Sequence, residues 1–95
     1  MLFLTVKPGE DVIFDRERIV VRVVHLLGTE ARLRITDLGY SEHVLRAGHS
    51  YTIEPGLVVV LRSITRGVAK MGFIAPDHVA IQRRKVYERL HQGMQ

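Results

Sequence analysis

Apolar and polar residues alternate along most of this chain with a period of two, or apolar residues form short runs bounded by Gly, Pro and Asp. Both patterns predict short β-strands. The predicted strands are Leu2–Lys7, Asp11–Phe14, Arg18–Leu26, Ala31–Thr36, His43–Arg46, Tyr51–Ile53, Leu57–Thr65, Val68–Ile74 and His78–Gln82. Hairpin turns are expected at Gly28-Thr29-Glu30 and Arg66-Gly67. Gly9, Gly28, Gly48, Gly56 and Gly67 recur at turn positions, where positive φ is the economical reason for glycine. Only the end changes period. Val86 and Leu90 stand four apart with Arg83, Arg84, Lys85, Glu88 and Arg89 around them, the pattern of one amphipathic helix. The fold class that follows is all-β, β-rich with one short C-terminal helix.

The pattern also repeats. Lys7-Pro8-Gly9-Glu10-Asp11-Val12-Ile13-Phe14, a charged turn and Ile19-Val20-Val21-Arg22-Val23-Val24 correspond to Arg46-Ala47-Gly48-His49-Ser50-Tyr51-Thr52-Ile53, the turn Glu54-Pro55-Gly56, and Leu57-Val58-Val59-Val60-Leu61-Arg62. Gly9 and Gly48, and again Gly28 and Gly67, are 39 residues apart. Beyond that loop the spacing falls to 38, matching Ala31-Arg32-Leu33 to Ala69-Lys70-Met71. No linker or low-complexity stretch separates the units. Residues 1–95 therefore read as one domain of two units, about 1–47 and 43–95, sharing the strand 43–46 and one core.

Ninety-five residues with 46% apolar and 25% charged side chains are ordinary globular values. With no cysteine, disulfides, thiolate zinc sites and cysteine nucleophiles are excluded. The longest apolar run, Leu57–Leu61, is far short of the roughly 20 residues that span a bilayer. Met1–Val6 has neither the basic leader nor the length of a signal peptide, so a soluble cytoplasmic protein without membrane contact is expected. The net charge is +4. Residues 1–47 carry seven basic and seven acidic side chains, whereas residues 48–95 carry seven and three, so the excess lies in the second half. A basic face draws polyanions through counterion release, nucleic acid above all.

Both ends carry a resemblance. Met1-Leu2-Phe3-Leu4-Thr5 followed by Gly9-Glu10 is similar to the opening of the carbon storage regulator family (CsrA/RsmA). Lys70-Met71-Gly72-Phe73-Ile74-Ala75-Pro76-Asp77-His78-Val79-Ala80-Ile81-Gln82-Arg83 resembles that family's fourth strand, Ala-Pro turn and fifth strand, and Arg83 through Leu90, with Tyr87, the start of its helix. The resemblance implies a small strand-exchanged β-sandwich or barrel, an interlocked homodimer of five-stranded subunits. Such dimers bind messenger RNA hairpins with GGA in the loop near ribosome-binding sites and so control translation. Their RNA site joins the first strand of one subunit to the end of the fifth strand of the other. This chain is longer than one such subunit and shorter than two. A monomeric single-chain pseudo-dimer is thus favoured over a homodimer, with Leu2–Lys7 beside His78–Gln82 and one RNA site per chain. His43–Arg46 would serve both as the closing strand of unit one and as the opening strand of unit two.

Matched residue by residue, the resemblance implies RNA contacts at Leu4, Lys7, Ile81, Gln82 and Arg83, with Arg83 on the family's key arginine. Val6 stands where the family has a basic residue, Arg84 and Lys85 stand where it often has acidic ones and are expected to restore the lost charge, and Arg46 is the unit-two counterpart of Lys7. Arg forks suit guanine acceptors. The basic residues Arg22, Arg32, Arg34, Arg62 and Lys70 alternate with apolar ones along strands, which makes them an outward face. His25, His43, His49, His78 and His91 have no short ligand spacing and no adjacent carboxylate pair. No nucleophile elbow, phosphate-binding glycine loop or acid/base pair is present. Neither catalysis nor a metal nor another cofactor is expected. The rival reading is a protein-interaction module of the same fold that has lost RNA and pairs with a regulator of this type, or with a protein antagonist, through exposed strand edges.

Overall fold

A computed structural model of the chain describes residues 1–92; residues 93–95, at the end of the second unit, and the side chains of His91 and Gln92 lie outside the described residues. Nine strands and one helix form in chain order: β1 (Leu2–Val6), β2 (Asp11–Phe14), β3 (Ile19–Leu27), β4 (Glu30–Thr36), β5 (Tyr40–Arg46), β6 (Ser50–Glu54), β7 (Leu57–Thr65), β8 (Val68–Ile74), β9 (Ile81–Arg83) and α1 (Arg84–Gln92). The expected class holds: two antiparallel sheets and one short C-terminal helix. One sheet runs β1-β8-β7-β6 and the other β5-β4-β3-β2-β9.

Alternation sets which side chains meet between the sheets. Ile19, Val21 and Val23 of β3 and Leu57, Val59 and Leu61 of β7 all point inward and are buried, as are Val6, Phe14, Leu33, Met71 and Phe73. These residues from both halves make one core, and the Phe14 and Phe73 rings meet edge to face at 5.4 Å. No helix among the described residues is long and apolar enough to cross a membrane.

The pairing crosses between the halves. β1 runs antiparallel to β8, with Leu2 opposite Phe73 and Val6 opposite Ala69. β5 runs antiparallel to β4 in the corresponding register, Ser41 opposite Ile35 and Leu45 opposite Ala31. β9 returns to the first half and pairs with β2, Val12 opposite Arg83 and Phe14 opposite Ile81. The hairpins match as well, Val12 opposite Val21 and Tyr51 opposite Val59, and each long strand has a bulge at the same place, after Val23 and after Leu61.

The pairing and the strand bounds correct several expectations. The lost residue lies in the β2–β3 turn: Asp15–Arg18 connects β2 to β3, and from Ile19/Leu57 onward every correspondence is 38. Gly28 (φ 61) therefore corresponds to Arg66 (φ 54), not to Gly67, and both β3–β4 and β7–β8 turns contain two residues, with Glu30 already in a strand. β5 begins at Tyr40 rather than His43, because the Asp37–Gly39 turn closes early through the Asp37 N–H to the Gly39 carbonyl at 2.9 Å. The last strand is Ile81–Arg83 rather than His78–Gln82; the Val79 N–H turns back to the Pro76 carbonyl. Finally, β1 does not pair with β9, which lies in the other sheet, and β5 takes only the opening role. β6 is left as an edge.

Candidate nucleic-acid interface

Arg83 ends β9, and its Nη1 donates to the Thr5 carbonyl of β1 at 2.6 Å. Thr5 lies 78 residues away and in the other sheet, so this bond joins the two sheet edges that the strands themselves leave unpaired. The guanidinium has no carboxylate partner among the described residues. Beside it opens a cleft of about 210 Å³ lined by Val6, Asp11, Arg22, Arg83, Arg84 and Lys85, among others.

Asp11 organises the cleft wall. It is buried (7% exposed) at the head of a strand whose four residues are all buried, and a carboxylate there requires cations. Arg22, directly opposite in the β2–β3 hairpin, donates from Nε to Oδ1 at 2.7 Å. Arg84 donates from Nε to Oδ2 at 2.8 Å. Burial pushes the Asp11 carboxyl up, but hydrogen bonds from Arg22 and Arg84 outweigh it, so the pKa lies below the ordinary carboxylate range. Arg84 also reaches Glu17 Oε1 at 3.0 Å.

The other matched residues divide. Lys85 is exposed on the first turn of α1 and lines the cleft. Lys7 is exposed just past β1, with its backbone N–H on Glu10 Oε1 at 2.7 Å. Leu4 and Ile81 are half-buried and pack on the core, and Gln82 is half-buried opposite Ile13. One expectation fails, and one of these residues stands apart. Arg84 does not restore free positive charge, because its guanidinium is held by Asp11 and Glu17. Arg46 is not brought to Arg83: it closes β5, at the far edge of the sheet that β9 ends, about 19 Å away at ordinary strand spacing, and is paired with Glu30 at 3.2 Å. Val6 is buried in the core and presents nothing to solvent at that position.

Sequence reasoning passed over Asp11. The available signal was a lone carboxylate beside Val-Ile-Phe, set opposite Arg22 once the hairpin register is drawn. The histidines stay apart: His43 stacks on Tyr51 with centroids 4.1 Å apart and meets Ser41 Oγ at 2.9 Å, and no metal-binding group of His, Asp or Glu forms among the described residues. No family model, curated protein or solved structure matches the chain.

Proposed function

We propose that this chain is an RNA-binding post-transcriptional regulator of the carbon storage regulator type, built as a single-chain counterpart of that family's strand-exchanged dimer. The observation that carries the reading is the Arg83–Thr5 bond. It ties the end of the last strand of unit two to the first strand of unit one, the two pieces the resemblance implies for an RNA site. The crossed pairing of β1 with β8 and β9 with β2 supports the same reading. Arg83 reads guanine, Lys7 and Lys85 take phosphate charge, and Leu4 and Ile81 shape the surface from beneath. The protein acts on GGA hairpins of messenger RNA in the cytoplasm as a monomer with one site and no cofactor.

The test is a titration of a labelled GGA hairpin against the protein and Arg83→Ala at low and moderate salt. One RNA per chain, binding that weakens steeply with salt, and loss in the variant support the reading. Equal, feeble binding by both proteins overturns it. The rival reading as a protein-interaction module has one observation in its favour: β6 is an edge strand, whereas its counterpart β2 is covered by β9.

A further inference from the structure

The two sheets differ in how their outward cations are treated. On β3, β4 and β5 of the five-stranded sheet each is neutralised: Arg22 by Asp11, Arg32 and Arg34 by Glu42, and Arg46 by Glu30. On the other sheet, β1, β8 and β7 contain no acidic residue. Arg62 and Lys70, both exposed there, have no carboxylate partner among the described residues. They converge instead on an aromatic ring. Arg62 Cζ lies 5.4 Å and Lys70 Nζ 5.8 Å from the centroid of Phe3, which is 41% exposed.

A glycine leaves room for the ring there. Phe3 pairs with Gly72, and a Cβ at Gly72 would stand 3.0 Å from the Phe3 ring and 2.5 Å from Met1 Sδ. Glycine thus lets the ring lie across the sheet. Lys70 pairs with Thr5, whose carbonyl holds Arg83, so the patch starts on the residue that closes the candidate interface. Phe3 is two residues along the same strand, about 7 Å.

We infer that the outer face of β1-β8-β7, through Phe3, Arg62 and Lys70, is a second contact surface that binds the single-stranded flank of a bound RNA hairpin. An aromatic face with adjacent cations suits single-stranded nucleic acid: any base stacks on the ring, and the cations take the flanking phosphates. An acidic peptide would satisfy the cations but not the ring, and a duplex would not offer a free base face. The inference rests on the RNA reading above.

Two RNAs separate the two surfaces: a blunt GGA hairpin, and the same hairpin with a short single-stranded extension. The extension is expected to tighten wild-type binding about tenfold, in the range of one stacked base. It should also steepen the salt dependence by about 0.7 in log-log slope per added phosphate contact. Arg62→Ala/Lys70→Ala and Phe3→Ala should each remove that gain while binding the blunt hairpin like wild type. Arg16→Ala, which removes an exposed, unpaired charge from the β2–β3 turn, should keep it. Arg83→Ala should weaken both RNAs alike. Phe3, Arg16, Arg62 and Lys70 are exposed and Arg83 is half-buried, and thermal melts check that each variant folds. A gain that is absent, or that survives in the double variant, overturns the inference while the RNA reading stands. Failure of the wild type to bind either RNA overturns both.

Discussion

Arg84 Nε donates to Asp11 Oδ2 at 2.8 Å across 73 residues of chain, which pins the start of α1 onto β2. Because the folded carboxyl titrates below its ordinary range, the unfolded chain takes up the proton first as pH falls. The stabilisation is therefore complete above the ordinary carboxylate pKa and is lost as pH falls through the lower folded value. Asp11→Asn should cost about 2 kcal/mol at pH 7, the scale of a hydrogen bond to a charged group. Thermal melts from pH 7 downward should find the wild-type advantage shrinking below about pH 4 and gone in strong acid. A difference independent of pH contradicts the assignment.

The two halves share their core through Phe14 and Phe73, both within 1% of full burial. Phe73→Ala removes the ring and leaves a cavity, at a cost of about 3–5 kcal/mol. Ile74→Ala, one residue on but facing solvent, should stay within about 0.5 kcal/mol. Urea unfolding followed by circular dichroism should give one transition for the wild type and for Ile74→Ala. A separate transition for either half contradicts the shared core.

Period-two alternation and short apolar runs made eight of the strands legible within a few residues, since β3 and β7 bury alternate side chains and β2 buries both faces. The last strand was harder: His78-Val79-Ala80 alternates like a strand but is held in the turn after Pro76. Register was not legible either. Aligning Gly28 with Gly67 put the lost residue in the wrong turn, because Arg66 adopts the positive φ that the sequence reserves for glycine. At the candidate site, Arg83 was visible only through the resemblance drawn from the sequence. Its hold on Thr5, the Asp11 hub and the split between neutralised and bare cations depend on which strands become neighbours, and side-chain type alone does not encode that.

Arg66 and Gly67 both have positive φ, 54 and 74, the signature of a type I′ hairpin turn. Arginine is strained there. Arg66→Asn should stabilise by about 0.5 kcal/mol, since asparagine tolerates this region better. Gly67→Ala should destabilise by about 1 kcal/mol, with nothing near its Cβ to clash, so the cost is conformational. Gly39→Ala is the control: its φ is not positive and its surroundings are open, so it should be neutral or slightly stabilising. Denaturation midpoints of the three variants read this directly.

β2 and β6 occupy corresponding places, yet β2 lies between β3 and β9 while β6 pairs only with β7. The burial differs in step: all four residues of β2 are buried, and none of β6 is. Amides of β2 are bonded from both sides and open only with the sheet. Those of Ser50–Glu54 that face away from β7 have no strand to bond. Native-state hydrogen exchange should find protection across Asp11–Phe14 near the global unfolding free energy, and exchange orders of magnitude faster at the outward amides of β6. Equal protection of the two strands in the isolated protein would mean that β6 is covered in solution. Protection that rises with protein concentration would assign the cover to a second copy of the chain.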